Sequence, residues 1–427
     1  MIRLAAFWCC TLLAFLLAAC QPAPEANVLG YLLGQRLDSL QRPAVEQPPG
    51  AITGRILAGG QPLAGATALV AERTGQPHTA ITGADGRYRI AGVPADGYTV
   101  AAVAPGYNEA ALHNVWGGPV TVQVRSGETA AAPDLHLAPL LPNDPAAFDA
   151  ESLQLRQTHS FTATAPFPPQ AAAQVRAFSF VRDGVTVDTL RLYLPLAAGP
   201  EDRFPLVLFV APTAVDDWQQ VSVAFASQGY ALVALSPVAA RGVDADAQAQ
   251  DAAAALALAQ AGSLGPEVGA NRPVVMGGSY SSAVLARLVR TAGDQLGGWV
   301  SVGGLANAFD GAAAFYAGEL QMPANFEFLV PAFGLPNIYP LTLLRYSPVY
   351  VASELPPTLL IHTSADRVLP IEQAYQLEAA ARAAGVPVAT YYYTDTSHYL
   401  GIGDNLTDAG REMFYMIVEF IERYGAE

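Results

Sequence analysis

Lysine is missing from this sequence altogether: all 22 basic residues are arginine. That absence excludes Schiff-base chemistry, a Walker-type phosphate loop and a serine–lysine dyad, each of which needs an amine at a fixed place. Cysteine is confined to Cys9, Cys10 and Cys20. The chain beyond Cys20 therefore has no disulfide, no thiolate nucleophile and no cysteine-ligated zinc. Histidine is scarce as well, with six residues and no H-E-x-x-H spacing, so neither a metal site nor a cofactor is expected. Charged residues make up only 14% of the chain, and the net charge is −15. An acidic, lysine-free surface suits a phosphate backbone poorly, which argues against nucleic acid as a partner. What is plentiful is apolar sequence: 52% of 427 residues, enough to fill the cores of two or three domains of roughly 100–200 residues.

Residues 1–19 run from Met1-Ile2-Arg3 through an apolar stretch to Leu17-Ala18-Ala19, just before Cys20. A basic start, a short apolar core and small residues before a cleavage point describe an export signal. Leu17-Ala18-Ala19-Cys20 also resembles the lipobox of bacterial lipoproteins. That resemblance implies that Cys20 is diacylated and becomes the first residue of a chain held at a membrane in the cell envelope, facing away from the cytoplasm. The alternative is an ordinary N-terminal anchor helix. Residues 20–50 hold five prolines and are mostly polar, as a spacer would be. No later segment is apolar for long enough to span a bilayer.

Residues 51–140 change texture to short β-type runs punctuated by Gly, Pro and Asp, as in a small antiparallel sandwich. Asp85-Gly86 lies between Thr79–Thr82 and Tyr88–Ile90 and reads as a hairpin turn. Pro62-Leu63-Ala64-Gly65-Ala66, Asp85-Gly86-Arg87-Tyr88 and Gly92-Val93-Pro94 resemble the carboxypeptidase regulatory-like family. The resemblance implies an accessory role: spacing, folding support or surface contact. His78, His113 and His136, and His159 beyond them, read as surface or edge residues rather than ligands.

From residue 150 to 427, strands and helices alternate, which means a mostly parallel α/β sheet. Asp183-Gly184 marks a hairpin, and Pro205–Ala211 is a continuous apolar run, as in a strand buried on both faces. After the strand at Pro273–Met276 comes Gly277-Gly278-Ser279-Tyr280-Ser281. It approximates the G-x-S-x-G elbow, in which a sharp strand-to-helix turn lifts a serine hydroxyl above the sheet. Ser281 stands where the second glycine usually does. Asp366 follows the strand Thr358–His362, and His398 follows the strand ending near Tyr393, giving the chain order Ser, Asp, His. His362 sits inside a strand and reads as a packed core residue. Asp395, three residues before His398, is a rival for the acid.

The region resembles the α/β-hydrolase family, nearest its dienelactone-hydrolase, feruloyl-esterase-like and prolyl-oligopeptidase branches. Ser347-Pro348-Val349-Tyr350, Pro356–His362 and Val368-Leu369-Pro370 carry the likeness. It implies Ser279 as nucleophile, His398 as general acid/base and Asp366 as the carboxylate that orients it. Relatives usually carry His-Gly where this chain has Pro212-Thr213. Proline has no N–H to donate, so the oxyanion donors would be the backbone N–H groups of Tyr280 and Thr213, with Ala214 as substitute. An aromatic-rich stretch at about 305–346 has the place and composition of a cap favouring apolar acyl groups, or of an irregular connection packed on the core. The reading is a lipid-anchored serine hydrolase of small-molecule esters, needing no metal or cofactor. Its alternatives are a prolyl-oligopeptidase-type peptidase acting on peptides, and a catalytically inactive cell-surface binding protein.

Overall fold

The computed structural model describes residues 47–320, 329–394, 398 and 407–425. Cys20 and Asp395, both singled out above, lie outside these residues, as do Phe326 and Phe328 of the aromatic-rich stretch.

The first domain is a two-layer β-sandwich. Gly50–Ala58 is its longest strand, antiparallel to Arg87–Val93 and parallel to Thr129–Ala131 and Leu135–Leu137. The expected all-antiparallel pairing is thus corrected to a mixed one. The second sheet joins Pro77–Ile81, Thr67–Ala71, Ala101–Val103 and Ala110–Ala111. Asp85-Gly86 also differs from its reading. The turn is real, with Gly86 at φ +71°, but its flanking strands pair in different sheets. It is an arch between the two layers rather than a hairpin. Both layers can then close over Ile52, Ile56, Val70 and Ile90.

The second domain is built on one nine-stranded sheet. Its strands are β1 (Arg156–Ala165), β2 (Ala171–Arg182), β3 (Val185–Pro195), β4 (Leu206–Val210), β5 (Ala231–Leu235), β6 (Val274–Gly278), β7 (Gly298–Val302), β8 (Thr358–Thr363) and β9 (Val388–Tyr393). Their spatial order is β1-β2-β3-β5-β4-β6-β7-β8-β9. The first three strands are antiparallel, and β5 to β9 run parallel with β4 among them. Here the Asp183-Gly184 turn does make a hairpin, with φ of +50° and +73° at its two central residues. This order, with β4 and β5 exchanged by a crossover, is the α/β-hydrolase arrangement.

The central strands separate two apolar layers, which is why they read as unbroken hydrophobic runs. On β4, Leu206, Leu208 and Val210 face one layer, and Val207 and Phe209 the other. The first layer holds helices α2 (Ala245–Gln260) and α3 (Ser279–Ala292). Asp244 caps α2, its Oδ1 accepting from the N–H groups of Asp246 and Ala247. The second layer holds α1 (Gln219–Ser227) and the C-terminal helix at Asp408–Tyr424. Between β7 and β8 lie α4 (Ala308–Tyr316), α5 (Leu329–Ala332) and α6 (Pro340–Arg345). Then α7 (Glu372–Ala383) joins β8 to β9, and the C-terminal helix becomes α8.

Candidate active site

Two elements that carry the site end at the same edge of the sheet, where parallel strands deliver their carboxyl ends. The first is β6, buried along its whole length. It turns directly into α3 through Ser279, whose φ is +53°. A left-handed backbone at a residue with a side chain costs roughly 1–2 kcal/mol, and such strain tends to gather at functional turns. The preceding glycines are needed for space. A Cβ on Gly277 would lie 2.8 Å from Leu285 Cδ1, and one on Gly278 would lie 3.2 Å from the Val302 carbonyl oxygen.

Ser281, the departure from the usual pattern, is fully buried. Its hydroxyl accepts from the Gly278 N–H at 3.2 Å and lies 2.8 Å from the Val210 carbonyl and 2.7 Å from that of Gly278. With one proton it donates to one of these carbonyls at a time. A hydroxyl here ties the turn to the end of β4, so serine replaces glycine with a gain in polar contacts.

The second element is the turn after β8. The Asp366 side chain is inaccessible to solvent. Its Oδ1 accepts from the N–H groups of Val368 and Leu369 at 2.8 and 2.9 Å. Its Oδ2 lies 2.6 Å from His398 Nδ1. His362 supplies a further neighbour: its Nε2 lies 2.8 Å from the Leu369 carbonyl and 3.3 Å from Asp366 Oδ2. Burial disfavours the charged carboxylate. Hydrogen bonds from His362 and His398, the nearby His398 and the Leu369 N–H outweigh it and hold Asp366 well below the usual carboxylate range. An ionised carboxylate only accepts, so Nδ1 of His398 donates. The neutral ring then carries its lone pair on Nε2, the nitrogen that serves as base.

Residues 303–305 adjoin both the histidine and the serine. A Cβ on Gly303 would lie 3.5 Å from Nδ1 and Cε1 of His398, while the Leu305 N–H donates to the Ser279 carbonyl at 3.1 Å. Thr213, one expected oxyanion donor, follows β4, and its hydroxyl accepts from Trp218 Nε1 at 2.8 Å. Tyr280, the other, is half-buried against the first apolar layer. A cavity of about 110 Å³ lies against the elbow on the opposite layer. Phe209, Trp218, Phe225, Met276, Gly278 and Phe414 are among its lining residues.

The structure thus places Asp366 and His398 in contact and sets Ser279 on a strained elbow at the same edge. His362 stands at the core position expected of it. It is buried, at 1% exposure, but it also touches the acid. The i, i+4 spacing of His362 and Asp366 around a strand end was the available signal. In the aromatic stretch, Phe309 and Phe333 are buried in the core, and their rings lie 6.0 Å from Tyr350 and 5.0 Å from Tyr346.

Strand order and elbow define the class of the second domain, an α/β-hydrolase fold. The first domain is identified separately: residues 51–137 match the family described as carboxypeptidase regulatory-like domain. No curated protein matches the sequence. Among solved structures, the chain is similar to an acylaminoacyl peptidase of Pyrococcus horikoshii, at 13% identity and a TM-score of 0.48 over 82% of this chain. It spans 59% of that peptidase. It is also similar to esterase 2 of Thermogutta terrifontis phosphonylated by sarin, at 20% identity and a TM-score of 0.44, over 57% of this chain and 92% of that one.

Proposed function

We propose that the chain is a serine hydrolase of carboxylic esters. The observation that carries this reading is the buried Asp366–His398 hydrogen bond at 2.6 Å, formed at the sheet edge where Ser279 sits at positive φ. In the proposed reaction, Ser279 Oγ attacks the ester carbonyl while His398 Nε2 takes its proton. The resulting oxyanion accepts hydrogen bonds from the backbone N–H groups of Tyr280 and Thr213. Collapse of the intermediate expels the alcohol, which receives the proton from His398 and leaves an acyl-enzyme. Water, deprotonated by His398, then attacks the acyl carbon and restores Ser279. Asp366 remains ionised throughout and steadies the imidazolium.

The apolar cavity beside Gly278 supports acyl groups of hydrocarbon character over charged ones. The test is hydrolysis by the soluble chain of p-nitrophenyl esters of graded acyl length, set against acylated and proline-containing peptide anilides. Ester turnover with little anilide turnover supports the reading. The reverse preference would make the chain a peptidase on the same site.

We further propose that Cys20 is diacylated and holds the enzyme at a membrane in the cell envelope, outside the cytoplasm. The support is the sequence Leu17-Ala18-Ala19-Cys20 after a short apolar run. Cys20→Ser should move the protein out of the detergent phase and remove the acyl mass. Unchanged retention would refute lipidation.

A further inference from the structure

The inner strands of the sandwich's second sheet, Thr67–Ala71 and Ala101–Val103, are buried on both faces. Along Thr67–Ala71, Ala68 and Val70 point into the sandwich's own core. Leu69 and Ala71, with Val103 on the neighbouring strand, belong instead to the core of the second domain. All five are at most 1% exposed. The two domains therefore share one continuous apolar interior on this side.

Polar contacts across the junction reach the helix that begins at Ser279 and the segments around Asn337 and Glu354. Glu109, 6% exposed, pairs with Arg287 and Arg290, and both arginines lie on α3, the helix that begins at Ser279. The Gly106 N–H donates to Glu354 at 2.6 Å, and Glu354 also receives Arg290 Nε at 2.6 Å. The Asn337 carbonyl accepts from the Thr99 N–H at 2.8 Å, and its side-chain amide donates to the Gly97 carbonyl at 3.0 Å.

Gly75 packs directly against α4. A Cβ there would lie 2.8 Å from Ala312 Cβ, from the Ala313 nitrogen and from the Phe309 carbonyl oxygen, all on α4. Its φ of +98° also excludes a side chain without strain. From α4 the path to the nucleophile is short and stiff. Asn307 caps the helix, and the N–H groups of Ala306 and Asn307 are both held by Gln373 Oε1, at 2.9 and 2.7 Å. One residue earlier, Leu305 is bonded to the Ser279 carbonyl.

We infer that the sandwich is a positioning domain for the active site. It clamps α3, α4 and the stretch 329–345, and through α4, Asn307 and Leu305 it braces the turn that carries Ser279. The inference rests on the ester-hydrolase reading for its site, but its structural arm does not. It departs from the accessory role that the sequence resemblance implied, because the sandwich bears on α3, which begins at Ser279, and on α4, whose lead-in bonds the Ser279 carbonyl.

The test uses the full chain with Gly75→Val, which pushes on α4, and Asn337→Ala, which removes the bond to Gly97. Two readouts are taken: kcat and KM for a short acetyl ester and a bulky aromatic-acyl ester, and amide hydrogen exchange over 308–316 and 329–345. A displacement of about 1 Å in a positioning element can cost about a hundredfold. For both esters kcat/KM should therefore fall by about tenfold or more, chiefly through kcat, with faster exchange in both segments. An unchanged kcat/KM in folded variants would overturn the inference, even with a lowered Tm, since it would leave the sandwich only a stabiliser. Unchanged exchange would overturn it equally. If Gly75→Val does not fold, Asn337→Ala decides alone. If the wild-type chain cleaves neither ester, the proposed activity fails, and exchange in the two variants still decides whether the sandwich holds these segments.

Discussion

Replacing Asp366 by asparagine removes one charge and almost no volume, yet it changes the contacts of one carboxylate oxygen from accepted to donated. Oδ1 can still accept from Val368 and Leu369. The amide nitrogen then takes the place of Oδ2, 2.6 Å from His398 Nδ1 and 3.3 Å from His362 Nε2. An amide N–H donates, so His398 Nδ1 must become an acceptor and its proton must move to Nε2. That tautomer cannot take the serine proton. In the serine proteases the equivalent change costs about 10⁴ in kcat, or about 5–6 kcal/mol of barrier, and a loss of this order is expected here. Facing the new amide, the Nε2–H of His362 meets a second donor, so stability should fall too, by about 1–3 kcal/mol for an unmatched buried group.

The pH dependence of that stability loss has a definite sign. The folded pKa of Asp366 is depressed, so its contribution is present above the unfolded value of about 4 and is lost as pH falls towards the folded value. The stability gap between wild type and Asp366→Asn should therefore narrow in acid. The assay is kcat for a short p-nitrophenyl ester, alongside urea unfolding at neutral and acid pH. A variant retaining activity within about tenfold of wild type would refute the tautomer argument and reassign the acid.

Three further outcomes follow from the same geometry. Ser279→Gly and Ser279→Ala should both be inactive, but the glycine variant should be the more stable by about 1 kcal/mol, because φ at +53° strains alanine and not glycine; equal denaturation midpoints would argue against a strained elbow. His362→Leu should lower kcat more than KM and His362→Gln should restore part of it, since glutamine can still donate towards Leu369 and Asp366; equal losses would reduce His362 to packing. Glu109→Ala leaves Arg287 with Asp246 and Arg290 with Glu354, each at 2.6 Å, so the cost should sit at the lower end of the range for a broken buried pair, about 3 kcal/mol, in one cooperative unfolding transition of both domains; two separate transitions would contradict the shared core.

The parallel sheet was legible in the sequence because β4 to β8 are buried on both faces, and Leu206–Val210 and Val274–Met276 are accordingly unbroken apolar runs. The candidate site was legible for a related reason: Ser279 and Asp366 follow such runs closely. The sandwich carries the same kind of run. Thr67-Ala68-Leu69-Val70-Ala71 and Val100–Val103 are also unbroken, not alternating, which is the mark of a sheet covered on its second face. That signal was present and pointed to domain docking. The edge strand β1 gave no such signal, since its first seven residues are exposed and polar residues interrupt any period of two. Asp85-Gly86 shows the limit of local reading. Its glycine does take positive φ, but whether a turn joins neighbours in one sheet or crosses between layers is decided by the packing of Ile90 and Val70 into a shared core. The contact of His362 with Asp366, likewise, arises from the fold of the 363–369 turn and not from composition.

The central claim is that Ser279 is a nucleophile activated by His398. It is tested most directly by incubating the folded chain with a fluorophosphonate and locating the adduct by peptide mass spectrometry. The account expects one adduct per chain, on Ser279, formed by the wild-type protein and lost both in His398→Ala and after unfolding. No adduct on the folded wild-type chain, or an adduct on another residue, would contradict it.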